Sequence, residues 1–256
     1  MAASWLHQLI EVDPTMFRSL KTLMSGGDRL SAKHINKLLD VSPGLEVINV
    51  YGPTENSVWS TSCRLAGEQY EPMPIGKPIP NSTAYILNDS LQILPIGVIG
   101  EICVGGAGVA RGYINNEAKT RERFVDDPFN PGQKLYRTGD LGRWLEDGTI
   151  EFHGRNDNQI KLRGYRIELG EIEHAVVEHA RIDECAVVVS GKDESDRMLV
   201  CVYTGSEAIQ DNDLRSFLKE TLPDYMIPVK FVRLEKLPMT SNGKVDRLAL
   251  QAGRYR

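Results

Sequence analysis

The chain has 256 residues, 41% of them hydrophobic and 25% charged, and its 30 basic against 35 acidic side chains give a formal net charge of -5. That length holds two ordinary domains or one large one, the composition is too apolar for disorder throughout, and the sign of the charge offers neither nucleic acid nor an anionic membrane a footing. No apolar run approaches the ~18 residues of a membrane span, and the stretch around Trp5, Leu6, Leu9 and Ile10 lacks the basic lead-in of a secretory signal and runs into Glu11 and Asp13.

Residues 4–12 (SWLHQLIEV) read as a short amphipathic helix, with Asp13-Pro14 as a cap followed by a helix-compatible proline. Ser31 is placed to cap a second helix carrying Ile35, Leu38 and Leu39 on one face. LEVINV (45–50) reads as a strand entering a sharp turn at YGPTE, and SVWSTSC (57–63) alternates as a strand again. From about 73 to 155 short strands are broken by Gly, Pro and Asn, among them TAYIL (83–87), LQIL (91–94) and IGEICVGG (99–106). Arg143-Trp144-Leu145 and Thr149 to His153 flank Asp147-Gly148, a hairpin signal. The cluster RNDNQ (155–159) has no apolar anchor and marks a domain boundary, giving domains at 1–156 and 157–256.

Beyond the boundary, QIKLR and YRI flank Gly164, and a helix from about Gly170 to Ala180 sets Ile172, Val176 and His179 roughly on one face. ECAVVVS and MLVCVYT read as strands. A helix from Asp211 carries Leu214, Phe217, Leu218 and Leu222 up to Pro223, and the strand VKFVRL (229–234) precedes the turn TSNGK (240–244). Cys63, Cys103, Cys185 and Cys201 are far apart and read as buried thiols of a reduced, cytoplasmic protein.

Five constellations carry polar chemistry, each with a plainer reading beside it. Ser25-Gly26-Gly27-Asp28 would let a ligand approach backbone amides, or is a simple turn. Asn49-Val50-Tyr51-Gly52-Pro53-Thr54-Glu55 delivers an amide, a ring, a hydroxyl and a carboxylate at a strand end, suited to a base, a phosphate and Mg²⁺, or is a proline turn with an incidental glutamate. Asp140, after Tyr136-Arg137-Thr138-Gly139, suits paired ribose hydroxyls, or is a turn aspartate. Gly154 to Arg166 alternates cations with apolar residues, facing an anion or only solvent. Asn242-Gly243 turns tightly to present Lys244, a point charge for a phosphate or carboxylate or an ordinary surface lysine.

In order, the blocks NVYGPTE, GEICVGGAGVARGYINN, YRTGDLGRW, TIEFHGRNDNQIKLRGYRIELGEIE and NGKVDRLAL resemble the amino-acid adenylation domains of non-ribosomal peptide synthetases, within the acyl-adenylate-forming superfamily. The resemblance spans essentially the whole chain. It implies an α/β, β-rich fold: an incomplete large adenylation subdomain over 1–156 and a complete small α+β subdomain over 157–256. It implies that Gly26, Gly27 and Asp28 line the adenine and substrate side, that Asn49 and Tyr51 contact and stack the adenine beside Gly52, and that Thr54 touches phosphate. Glu55 would hold Mg²⁺, and Asp140 would bind the ribose with Arg155 beside it. Phe152 stands where many relatives have tyrosine, so ring contact remains without a hydroxyl. Asp157 matches the hinge, Lys244 the lysine of adenylation, and Lys161 the face presented for the second half-reaction. Met24, Gly26, Val50, Val58 and Trp59 fall at pocket positions and imply an uncharged, aliphatic amino acid.

The implied substrates are ATP and that amino acid, with AMP as the bound product moiety. The implied partners are a peptidyl carrier protein bearing phosphopantetheine and neighbouring synthetase modules; nucleic acid and membrane are not among them. No segment matches the family's phosphate loop or its amino-group-binding aspartate, so this piece is expected to adenylate little by itself. Two other readings stand beside the ligase: a folded, non-catalytic remnant acting as an interaction module, and a fragment of an acyl- or aryl-CoA ligase, which Pro53 disfavours.

Overall fold

In the computed structural model, which describes residues 1–65, 70, 73–156, 159–162, 164–191, 196–240 and 243–253, the helical spacing of Ala3, Leu6, His7 and Ile10 builds α1 (Ala3–Val12) and buries that stripe. Asp13 then accepts the Thr15 N–H at 2.9 Å and opens a single 3-10 turn at Pro14–Phe17. After β1 (Thr22–Gly26) comes α2 (Ala32–Val41), burying Ile35, Leu38 and Leu39. Ser31 holds the N-cap position of α2 but makes no side-chain cap bond. Its Oγ instead meets His34 Nδ1 at 2.8 Å, and its N–H donates to His7 Nε2 at 3.0 Å. The two imidazoles stack with centroids 4.7 Å apart, so this serine ties α1 to α2.

The chain divides into two units, residues 1–157 and 158–256. In the first, β2 (Glu46–Tyr51), β3 (Thr61–Leu65), β4 (Pro74–Pro78), β5 (Ser82–Leu87), β6 (Gly100–Gly106), α3 (Glu117–Arg123), β7 (Phe124–Asp126), β8 (Lys134–Trp144) and β9 (Ile150–Arg155) follow in order. One sheet runs β1-β2-β3-β4-β9-β8-β6-β5, with β7 also paired to β8. β1 and β2 are parallel, and the remaining pairs are antiparallel. Leu6, Ile10, Ile35 and Leu38 pack on Leu23, Val47 and Leu65 in one core, and Tyr51, Ile75, Ile86, Ile102, Tyr136 and Ile150 share another. β2 pairs with β1 on one side and β3 on the other, so β1 forms the edge at that end of the sheet. Ala2 bridges Gly26 at one end of that edge.

Two predicted strands are absent in part. SVWSTSC becomes a strand only from Thr61, because Ser57 and Val58 take left-handed backbone (φ 53° and 75°). LQIL forms only a bridge between Ile93 and Leu87, since Asn88 Oδ1 accepts the N–H groups of Ser90 and Gln92, each at 3.0 Å, and Leu91 is left-handed. The Asp147-Gly148 hairpin forms between β8 and β9.

The second unit holds the hairpin β10 (Gln159–Leu162) and β11 (Tyr165–Glu168), then α4 (Leu169–Val177), β12 (Glu184–Ser190), β13 (Met198–Thr204), α5 (Asp211–Leu218), β14 (Lys230–Arg233) and α6 (Arg247–Gln251). α4 stops at Val177, three residues short of the predicted Ala180. β12 and β13 are antiparallel and β14 is parallel to β13. Val187 and Cys201 face a core with Ile172, Val176, Leu214 and Leu218, while Ala186, Val188, Val200 and Val202 face another with Leu237 and Leu250. Burial on both faces is why ECAVVVS and MLVCVYT read as unbroken apolar runs. Among the described residues no helix is long and apolar enough to cross a membrane. The four cysteines are unbridged, and burial pushes the Cys103 thiol well above its ordinary range.

Candidate functional site

Because β1 and β2 are parallel, their carboxyl ends open at the same side of the sheet, where ligands of open α/β sheets gather. β1 ends in Gly26-Gly27-Asp28 and β2 in Tyr51-Gly52-Pro53-Thr54-Glu55. Gly26 lies opposite Val50, and a Cβ on it would stand 2.0 Å from the Val50 carbonyl oxygen, so only glycine fits. A Cβ on Gly52 would lie 2.6 Å from both Ser60 N and Val58 O. The close return of 57–60 over Gly52, sealed by Ser60 N–H to Tyr51 O at 2.8 Å, forces the left-handed backbone at Ser57 and Val58. Val58 is β-branched, for which that conformation is strained.

Leu23 and Val47 join the core under α1 and α2, which turns the predicted pocket residues Met24, Gly26 and Val50 to the opposite face of the sheet. Val58 and Trp59 stand on the strained turn, 59% and 41% exposed. Gly27 is exposed, Asp28 half-buried with Oδ1 accepting the Arg29 N–H at 2.7 Å, and Thr54 exposed on a 3-10 turn.

Asn49 is buried, and its Nδ2 donates to the Pro74 carbonyl at 2.6 Å, so that amide is engaged within the sheet. Tyr51 is also buried. Its hydroxyl donates to Asp140 Oδ2 at 2.6 Å, and its ring centroid lies 6.3 Å from that of Phe152. Asp140 Oδ1 accepts from Arg155 Nη1 at 2.5 Å, and Arg155 Nη2 donates to the Thr138 carbonyl at 3.0 Å. Burial, then the neighbouring Asp140 charge, pushes the Tyr51 hydroxyl well above the ordinary tyrosine range. The side chain thus stays a neutral donor. Ordered by 89 residues of separation, Tyr51 and Asp140 meet only through the sheet.

Glu55, buried at the next turn, accepts at one oxygen, Oε1, from Tyr113 Oη at 2.6 Å and Tyr136 Oη at 2.8 Å. Burial and the bond to Glu55 push the Tyr113 hydroxyl up as well. Neither tyrosine was given a role from the sequence: both lie inside matched blocks, and Tyr136 was named only as the residue that opens the segment leading to Asp140. Among the described residues no group of three His, Cys, Asp or Glu side chains forms a metal cage. Mg²⁺ does not require one, since it keeps waters and phosphate oxygens and takes one or two carboxylates. A carboxylate held by two hydroxyls fits that demand.

In the second unit Lys161 pairs with Arg166 across β10 and β11, which places two cations opposite each other. Lys244 is exposed in a turn closed by Thr240 N–H to Lys244 O at 2.7 Å and Gly243 N–H to Thr240 O at 3.0 Å. The predicted hinge Asp157, with Arg163 and Asn242 of the predicted loops, lies outside the described residues.

The profile of the AMP-binding enzyme family matches residues 2–114, and that of the AMP-binding enzyme C-terminal domain matches residues 171–244. The chain is 51% identical to tyrocidine synthase 3 of Brevibacillus parabrevis over 245 residues, 95% of this chain and 4% of that protein. It is 47% identical to surfactin synthase subunit 2 of Bacillus subtilis (strain 168), over 96% of this chain and 7% of that protein. Among solved structures, holo-PA1221, an NRPS protein containing adenylation and PCP domains bound to a vinylsulfonamide inhibitor, superposes with a TM-score of 0.86 at 35% identity. The match covers 98% of this chain and 43% of that one. The chain therefore spans under half of that structure and a small part of the curated synthetases.

Proposed function

The chain belongs to the AMP-binding enzymes, and from that premise we propose that it forms part of an amino-acid-activating adenylation domain. The reaction joins an amino-acid carboxylate oxygen to the α-phosphorus of ATP, breaks the bond to the β-phosphate bridging oxygen, and releases pyrophosphate. The aminoacyl group then passes to a phosphopantetheine thiol with loss of AMP.

The observation that carries this reading is the buried Tyr51–Asp140–Arg155 group at the carboxyl ends of β1 and β2, with Glu55 one turn away. Asp140 supplies an acceptor for ribose hydroxyls, and Arg155 and Tyr51 fix its orientation before a ligand arrives, which lowers the cost of ordering on binding. Glu55 is the residue that would hold Mg²⁺, whose charge screens the phosphates when bound. Thr54, exposed beside it, is offered to a phosphate oxygen. Met24, Gly26, Val50, Val58 and Trp59 carry no charge, which supports an uncharged amino acid.

Lys244, Lys161 and the hinge role of Asp157 rest on the sequence blocks. Lys244 would offset the charge gathered as two anions meet. Lys161 would act in the thiol step, with the peptidyl carrier as partner. The adenylation and PCP domains that coexist in holo-PA1221 support that pairing.

Calorimetric titration of the chain with AMP, wild type against Asp140→Asn, tests the nucleotide site: weaker but measurable binding in the variant is expected, and equal binding would remove the basis of the reading. Amino-acid-dependent ATP–pyrophosphate exchange tests the substrate class; a preference for Asp, Glu, Lys or Arg would overturn it.

A further inference from the structure

We infer that Glu101 is a positioning residue that sets the aim of Asp140, with Arg137 as its brace; this rests on the nucleotide reading of Asp140 given above. Where β6 pairs with β8, Glu101 lies opposite Leu141 but Cys103 lies opposite Arg137. Residues 138–140 of β8 therefore face the single residue Ile102. This is a bulge, a device that bends a strand and re-aims a side chain next to a site. The bulge brings Gly139 into left-handed backbone (φ 74°) and takes Asp140 out of register with β6 while it still pairs with Arg155 of β9.

A bulge inside a sheet leaves backbone groups without ladder partners, and each must be satisfied elsewhere. The Thr138 hydroxyl donates to the Ile102 carbonyl at 2.6 Å and accepts the Asp140 N–H at 2.9 Å. The Gly139 carbonyl accepts the Asn156 N–H at 3.0 Å, and the Thr138 carbonyl accepts from Arg155. The Gly139 N–H is left, and Glu101 Oε1 accepts it at 2.9 Å. The other oxygen, Oε2, accepts from Arg137 Nε at 2.9 Å and Nη2 at 2.6 Å, which fixes the carboxylate in its plane. Glu101 is 6% exposed, so no water replaces it cheaply at the Gly139 N–H. A buried glutamate on a strand of apolar residues thus takes the place of a ladder partner, one residue from the carboxylate that meets the nucleotide. It does not touch ligand and acts only through the 138–140 backbone.

The test is a double-mutant cycle on AMP affinity, measured by calorimetry on the 256-residue chain with thermal unfolding recorded for each variant. The anchored bulge pre-organises Asp140, and losing that pre-organisation costs affinity, so Glu101→Ala should weaken AMP by at least about tenfold. Glu101→Gln keeps an oxygen for the Gly139 N–H but not the ion pair, and should recover most of that loss; Glu101→Met, of similar volume but without an acceptor, should weaken AMP as the alanine does and carries the test if the alanine variant does not fold. In the Asp140→Asn background, Glu101→Ala should cost no further affinity, because its route to the ligand is already cut. Additive losses in the double variant, or wild-type affinity in Glu101→Ala while Asp140→Asn binds weakly, would overturn the inference. If Asp140→Asn binds AMP like wild type, or wild type does not bind it, the nucleotide reading fails first and the inference with it.

Discussion

Asp140→Ala should destabilise the first unit independently of any ligand. The carboxylate is 3% exposed and both its oxygens are engaged, Oδ1 by Arg155 and Oδ2 by Tyr51. The Arg155 side chain is 12% exposed, so its cation cannot simply turn to water. Removing one partner of a buried pair costs ~3–5 kcal/mol, because the other charge stays buried. The Tyr51 hydroxyl loses its acceptor in the same step, a loss of ~1–3 kcal/mol that overlaps the first. At ~2–4 °C per kcal/mol for a unit of this size, the midpoint should fall by roughly 6–20 °C. The assay is thermal unfolding followed by tryptophan fluorescence, since Trp5, Trp59 and Trp144 all lie in the first unit. Asp140→Leu with Arg155→Met removes both charges and should recover most of the stability, as replacing a whole buried pair often does. An Asp140→Ala midpoint within about 2 °C of wild type would refute the reasoning, since the smallest loss argued here is about three times larger.

Gly26→Ala would set a Cβ 2.0 Å from the Val50 carbonyl oxygen and should cost more than the ~1–3 kcal/mol of ordinary overpacking, whereas Gly44→Ala, with open space around it, should be near neutral by the same unfolding assay. Val58→Gly should raise stability by about 1 kcal/mol by relieving the left-handed valine, which urea unfolding would measure. His34, whose ring burial and the neighbouring His7 hold its pKa below the ordinary 6.5 against the pull of Glu11, is the proton-poor partner of folding. The unfolded chain binds more protons below about pH 6.5, so this contribution is full above that value and lost as pH falls. His34→Gln should flatten the acid side of the stability curve, and an unchanged slope would contradict the assignment.

Elements buried on two faces or along one stripe were legible in the sequence, because a single period carries them: Leu6 and Ile10 on α1, or Val187 and Val188 on the two faces of β12. What was not legible depends on contacts between distant strands. SVWS alternates like a strand, yet the missing Cβ of Gly52 lets its backbone fold back over β2. Glu55 is separated by 81 residues from Tyr136, and Glu101 by 38 from Gly139. No window of spacing connects them, and the resemblance supplied the acidic residues without the groups that hold them.

Several departures from local rules adjoin the strand ends that carry Tyr51, Glu55 and Asp140: left-handed backbone at the β-branched Val58, a glycine at position 26 whose Cβ would strike a carbonyl, a bulge with one residue facing three, and the buried carboxylate of Glu101. Each costs stability where a regular sheet would have cost none. Others lie elsewhere, among them left-handed Leu91 and Asn115 and the close approach of Gly76 to the Ser62 carbonyl, so strain by itself does not mark a site. What distinguishes Gly26, Val58, Glu101 and Gly139 is their place: they flank the side chains to which ribose, phosphate and metal are assigned, and none of them carries that chemistry. A local rule broken beside such groups is what a scaffold shaped around a ligand shows.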